Sequence, residues 1–319
     1  MTSPKWGIVA TIKAPTKDVL EFVAYHLDLG ATEIAVFLDD CNADTAQALS
    51  EHPQVRVILT DEDHWQNTIG RRPKKHQVRQ VRNASYYYRR AQHLDWIAHI
   101  DVDEFLCPET SVAEVLSACP KDTPALRVFP AESLCSDGLT DVDPEVTYCK
   151  ARLPDGTAGK ALEHVLYPNF GGALRSGFVS HIIGKVFVRT GFKNVKFGIH
   201  RAFENRDDEL SKIDAQGMEL CHRHIQSWDK WLQIIEFRLS QGSYRAELEQ
   251  SLNPLSGRIQ RHRFFTSLME GDTTALRAFF EESCLATPEL RGKLAETGYL
   301  RSYTLGLEQK RKKHIPHVS

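Results

Sequence analysis

The chain lacks any apolar run near the roughly 18 residues that a membrane span requires, which argues against a helical span within its 319 residues. The opening, Met1 to Ala14, lacks the form of a secretory signal. Lys13 interrupts its apolar stretch, and Trp6 to Ile12 reads as a buried strand. There is no surplus of charge: 40 basic residues stand against 42 acidic ones, leaving a net charge of −2. Without such a surplus nothing draws the whole chain towards nucleic acid or an acidic membrane. Peripheral contact with either requires a local patch. Cysteine pairing is also missing. The seven cysteines are odd in number, scattered from Cys41 to Cys284, and form no Cys-x-x-Cys. A disulfide framework and a cysteine zinc site are thereby disfavoured, and the expected setting is buried thiols in the reducing cytoplasm. No internal repeat or low-complexity tract occurs.

What is present is globular: 41% hydrophobic and 26% charged residues. The first half alternates strands with helices. Gly7 to Ile12, Glu33 to Leu38, Val55 to Thr60, Trp96 to Ile100 and Ala125 to Phe129 read as strands. A helix from Thr16 to Leu29, with Val19, Leu20, Val23, Ala24 and Leu27 on one face, stops at Gly30. Residues 61–75 read as a loop, and Gln77 to Leu94 as a basic helix. This alternation predicts a Rossmann-like α/β domain with a mostly parallel sheet flanked by helices, which binds ligands at the carboxyl ends of its strands. Residues 131–177 are irregular, and Lys185 to Thr190 is a further strand. From Ser227 the pattern is helical, with Trp228, Trp231, Leu232, Ile235 and Leu239 at helical spacing. Further helices are expected over Tyr244–Leu252, Gly257–Leu268, Thr274–Cys284 and Glu289–Glu296. The basic tail Lys310 to His314 reads as frayed. The expected division is a catalytic domain over 1–226 and a helical C-terminal extension over 227–319.

The sharpest chemical feature is Ile100-Asp101-Val102-Asp103-Glu104-Phe105-Leu106. Residues i and i+2 of an extended chain point the same way. If the chain stays extended, Asp101 and Asp103 face one divalent cation together. Their hard oxygens suit Mn²⁺ or Mg²⁺, ions that keep substrate phosphates among their ligands. The plainer reading is an acidic loop. A second polar cluster, Asp39-Asp40-Cys41-Asn42-Ala43-Asp44-Thr45, also follows a strand. It can accept hydrogen bonds from ribose hydroxyls and a base N–H, or serve merely as a turn with a helix cap. A third stretch, Arg71 to Arg90, has eight basic residues, no acid and Tyr86-Tyr87-Tyr88. It suits a diphosphate, a nucleic acid, or a solvated helix face. Finally, His200, His222 and His224 can complete a metal shell, although spacing alone favours structural histidines. Gly171-Gly172, Arg175 and Lys185 add a flexible, positive setting.

Together these residues resemble the GT-A glycosyltransferases, in a family-2-like branch related to the GT92 (DUF23) group. Lys13, Glu21, Tyr25-His26 and Leu29-Gly30 are similar to the opening of that branch. Asp39-Asp40-x-Asn42-x-Asp44-Thr45 is similar to its nucleotide loop. Gln80 to Ala84, Trp96-Ile97 and Asp101-x-Asp103-Glu104-Phe105-Leu106 resemble its acidic block. Gly184 to Arg189, Gly198-Ile199-His200, and His222 with Ser227 resemble its later motifs. The chain departs from the pattern at Ala14-Pro15, at Asp40 and at Cys221-His222-Arg223.

The resemblance implies a nucleotide-sugar donor, a UDP- or GDP-sugar, and a saccharide or lipid-linked acceptor, with inverting chemistry. It places Lys13, Asp39, Asp40, Gln80, Arg82, Asp101 and Lys185 around the donor. It places Asp101, Asp103 and His222, or His200 in its stead, around the metal. Glu132 is the candidate base, ahead of Asp207 and Asp208. Two other readings compete. One is a metal-dependent phosphohydrolase or nucleotidyltransferase using the same strand ends. The other is a nucleic-acid binder using Arg71 to Arg90, which the net charge disfavours.

Overall fold

The computed structural model describes residues 3–205, 207–242, 244–246 and 261–317. In chain order the elements are β1 (Trp6–Ile12), α1 (Thr16–Asp28), β2 (Glu33–Leu38), α2 (Ala43–Ser50), β3 (Val55–Leu59), α3 (Glu62–Ile69), α4 (His76–Tyr88), β4 (Trp96–His99), β5 (Glu104–Pro108), α5 (Val112–Ser117), β6 (Ala125–Val128), β7 (Pro130–Ser133), β8 (Thr147–Ala151) and α6 (Thr157–Leu166). There follow β9 (Lys185–Arg189), β10 (Lys196–Phe197), β11 (Ala202–Glu204), β12 (Asp208–Glu209), β13 (Lys212–Asp214), β14 (Met218–His222), α7 (Trp228–Ser240), α8 (Arg261–Leu268), α9 (Thr274–Ser283), α10 (Pro288–Glu296), β15 (Leu300–Tyr303) and α11 (Leu307–His314).

Two compact units emerge. The first comprises Met1–Pro130, Ile183–His222 and Leu305–Ser319, and the second Ala131–Ile182 and Arg223–Thr304. The irregular stretch after Pro130 therefore groups with the later helices. The chain leaves the first unit at His222, a few residues before the boundary expected at 226.

The first unit is built on a sheet ordered β13-β6-β9-β4-β1-β2-β3. β1 runs parallel to β2 and β4, β2 to β3, and β13 to β6. β9 is antiparallel to both β4 and β6. The α/β sheet is thus mixed, where the sequence predicted a mostly parallel one. The connection explains the difference. Parallel neighbours need a crossover back along the sheet, whereas β9 enters after the excursion through residues 131–182.

Every residue of β1 and β2 is buried, as continuous apolar strands covered on both faces should be. Gly7 is required there, because a Cβ would sit 2.6 Å from Leu94 and 2.7 Å from the Glu33 carbonyl oxygen. From α4, Ala84, Tyr87 and Tyr88 pack with Val9, Phe37 and Ile97.

Two sequence readings change. Residues 61–75 contain α3, whose first turn is capped by Asp61 accepting from the His64 N–H at 2.8 Å and whose end is closed by left-handed Gly70. Its anchor is a single buried residue, Trp65, which donates to the Thr60 carbonyl at 3.0 Å. The basic tail is helical rather than frayed: α11 packs on α1, with Lys313 and His314 on Asp28 at 2.6 and 3.0 Å.

In the second unit β7, β8 and β15 pair antiparallel. Helices follow towards the C-terminus. Trp231 and Ile235 are the inward residues of α7 and share a core with Phe265, Phe279 and Phe280. The expected helices over Thr274–Cys284 and Glu289–Glu296 correspond to α9 and α10. The one over Tyr244–Leu252, apart from 244–246, and the start of that over Gly257–Leu268 lie outside the described residues.

Candidate functional site

Two acidic groups stand at the carboxyl ends of β2 and β4, the parallel strands on either side of β1 in the first unit. At the end of β2, Asp39 is buried and its carboxylate is gripped by α4 and the segment before it. Arg79 donates from Nε at 2.8 Å and from Nη2 at 2.6 Å, and Arg72 from Nη2 at 3.0 Å. His76 Nδ1 lies at 3.3 Å. Burial opposes the charge of Asp39, but hydrogen bonds from His76 and Arg79 and the charges of Arg79 and Arg72 prevail, holding its pKa well below the usual carboxylate range. Asp40 is exposed and accepts from the Asn42 N–H at 3.3 Å. Asn42 caps α2 by accepting from the Thr45 N–H at 3.0 Å.

β4 stops at His99, and the chain turns over Val102 and Asp103 instead of continuing extended. Glu104 makes the turn. Its N–H donates to the Asp101 carbonyl at 3.1 Å, and its Oε2 accepts from the Asp101 N–H at 2.8 Å. The i, i+2 alignment of Asp101 and Asp103 is therefore replaced by two separate attachments. Asp101 accepts from Lys185 Nζ at 2.6 Å and from Gln80 Nε2 at 2.5 Å. Asp103 lies 3.5 Å from His222 Nε2.

Lys185 is 2% exposed and also stands 3.4 Å from Glu104. Desolvation would lower its pKa, but Asp101 and Glu104 raise it above the ordinary lysine range. Desolvation likewise opposes the charge of Asp101, and the Lys185 ammonium overcomes it, leaving that pKa depressed. Gly184 makes this placement possible: it has φ +78°, and a Cβ there would overlap the Val128 carbonyl oxygen.

β5 and β14 pair antiparallel with His222 opposite Glu104. Each offers one ligand atom, and the two atoms lie within 4.8 Å of one another. Carboxylate and imidazole together are the donor chemistry that holds a divalent cation, and Asp103 stands against the same His222 imidazole.

The remaining sequence candidates are held as follows. Lys13 is exposed just after β1. His200 sets Nδ1 on the Gly184 carbonyl at 2.8 Å. Arg82 lines a cavity beside α4. Glu132 belongs to the second unit and is fully buried. It stands opposite Lys150 in the β7–β8 register, with Lys150 Nζ at 3.0 Å. It also accepts from the Val179 and Ser180 N–H groups at 2.9 and 2.6 Å. Burial opposes its charge, and Lys150 more than offsets this, so it stays ionised. Asp207 and Asp208 are exposed.

No family model and no curated protein matches the chain. Among solved structures, HddC from Yersinia pseudotuberculosis overlays with a TM-score of 0.36 at 9% identity, over 72% of this chain and 97% of that one. A mycobacterial protein overlays with a TM-score of 0.29 at 12% identity, over 58% and 53%. Overlays this loose assign neither a family nor an activity.

Sequence reading assigned no separate role to Glu104 and took Arg72 and Arg79 only as part of the basic stretch. Glu104 carried a signal in its place inside the acidic block, but its meeting with His222 depends on β5–β14 pairing, which no local pattern encodes.

Proposed function

We propose that the chain is a metal-dependent enzyme acting on a nucleotide or nucleotide-sugar, with nucleotidyl or phosphoryl transfer as the better-supported reaction. The observation that carries this is the Glu104–His222 pair, with Asp103 against the same imidazole, beside the Lys185–Asp101 pair at a strand end. A divalent cation held there would screen phosphate charge. Asp101, fixed by Lys185 and Gln80, is positioned to accept from a ribose hydroxyl. Lys185 supplies positive charge next to the bound phosphates.

The setting of Glu132 favours phosphoryl over glycosyl chemistry. An acceptor hydroxyl needs a base, and the carboxylate nominated for that task is enclosed in an ion pair. A phosphate-bearing nucleophile is already ionised and needs none. Glycosyl transfer to a saccharide or lipid-linked acceptor is the second reading, favoured by the order of Asp39, Asp101-x-Asp103-Glu104, Lys185 and His222 along the chain. No helix among the described residues is long and apolar enough to cross a membrane.

Product analysis separates the two. The protein is incubated with Mn²⁺ and either a nucleoside triphosphate plus a sugar 1-phosphate, or a UDP- or GDP-sugar. Pyrophosphate released from the first mixture identifies nucleotidyl transfer. Nucleoside diphosphate released from the second identifies glycosyl transfer or donor hydrolysis. If neither mixture turns over and no nucleotide binds with Mn²⁺, the reading is wrong.

A further inference from the structure

We propose that α4 carries, away from the strand ends, a second binding site for a small organic anion that joins a phosphate or carboxylate to an apolar body. A cavity of about 510 Å³ lies within the first unit among α3, α4 and β10. Trp65, Ile69 and Val195 give it apolar surface, and Arg82, Arg89 and Lys196 give it positive charge. No aspartate or glutamate lines it. Among the described residues, none of those three cations is paired with a carboxylate. Three other arginines of the basic stretch are differently engaged: Arg72 and Arg79 hold Asp39, and Arg90 lies over the Tyr86 ring at 3.6 Å. Burial, and then the charges of Arg90 and Arg82, press the pKa of Arg89 down. An uncompensated positive field of this kind is relieved by a bound anion.

The rim is specifically shaped. Asn194 and Asn205 both line the cavity and both adopt left-handed backbone, with φ of 57° and 49°. Asn194 Nδ2 donates to Asn205 Oδ1 at 3.1 Å. Guanidinium groups recognise phosphate and carboxylate through paired donors, while Trp65 and the partly exposed Ile69 suit a flat or aliphatic body. The volume falls within the range typical of small-molecule pockets. None of Asp39, Asp101, Asp103, Glu104 or His222 lines the cavity. The inference therefore goes beyond the proposed reaction, and either can fail without the other. The two sites share one element, because α4 also sends Gln80 to Asp101 and Arg79 to Asp39.

The probe is 1-naphthyl phosphate, titrated by its own fluorescence into the full chain without metal or nucleotide. 1-Naphthol and inorganic phosphate are titrated separately. The expected result is saturable binding of the ester, tighter than either fragment, and weakened by about tenfold or more in the double variant Arg89→Glu/Lys196→Glu. Both residues lie outside the metal and nucleotide machinery, and a thermal melt checks that the variant folds. If it does not fold, Arg89→Gln alone makes the same comparison. Equal affinity in the folded variant, or 1-naphthol binding as tightly as the ester, overturns the proposal. A single-stranded oligonucleotide that binds more tightly than the ester, and is lost in the same variant, also overturns it and makes the groove a nucleic-acid surface.

Discussion

Lys185 is the residue on which the acidic turn depends, because it is the buried cation shared by Asp101 and Glu104. Removing one partner of a buried ion pair strands the other charge in a poorly solvated setting, which typically costs about 3–5 kcal/mol. Lys185→Met is therefore expected to lower unfolding free energy by about that amount in urea titrations. Adding Asp101→Asn should recover part of the loss, because one of the two stranded charges is then gone while Glu104 remains. A double variant no more stable than the single one would show that the pair is not coupled. At this scale the sequence was partly legible. Asp101, Asp103, Lys185 and His222 stand out by residue type and position. Which carboxylate meets which cation was not legible, because Glu104 turns the chain and sends the two aspartates to different partners. Glu132 illustrates the converse. Its place after a strand looked chemical, but a lysine directly opposite in the antiparallel register encloses it.

Among the elements, α1 and β5 are joined by a histidine with a defined tautomer. His26 Nδ1–H donates to the Phe22 carbonyl at 2.8 Å, and Nε2 accepts from the Leu106 N–H at 3.4 Å. Burial, reinforced by Lys310, lowers its pKa to about 3, against the weaker opposing pull of the Phe22 bond. The ring is thus neutral in the folded chain, while in the unfolded chain it protonates below about 6.5. The unfolded state then binds the extra proton, so stability is intact above pH 6.5 and declines as the pH falls from there towards 3. The expected slope is about 1.4 kcal/mol per pH unit from this group. His26→Gln should flatten the fall between pH 6.5 and pH 5 in denaturant titrations, and an unchanged slope would exclude His26 as its source. Legibility at this scale followed hydrophobic pattern. The continuous apolar runs of β1, β2 and β4 were plain. α3 was not, because one tryptophan in a polar stretch makes no periodicity, and β5 was hidden behind the acidic block that opens it.

For the molecule as a whole, a cation that binds only the folded chain should stabilise it by mass action, by about 2.7 kcal/mol at a hundredfold excess over its dissociation constant. Mn²⁺ is expected to raise the melting temperature of the wild type and to leave Asp103→Ala and His222→Ala unmoved. An equal upward shift in both variants would place the cation elsewhere. The net charge of −2 concealed this arrangement, since its acids gather at strand ends and its unpaired arginines beside α4. The mixed sheet was the least legible feature of the whole chain. Pairing β9 between β4 and β6 is decided by where an excursion returns, which residue patterns do not record. That late return also has a consequence during synthesis. Lys185 lies 84 residues after Asp101, so at cellular elongation rates about 4–17 s separate the two on the ribosome. Throughout that interval the nascent acidic turn exists without its counter-ion, and the half-made sheet ends at an open β4 edge. A chaperone that shields this edge, or a synonymous codon choice that shortens the wait, would therefore act on the yield of the protein without altering a residue of it.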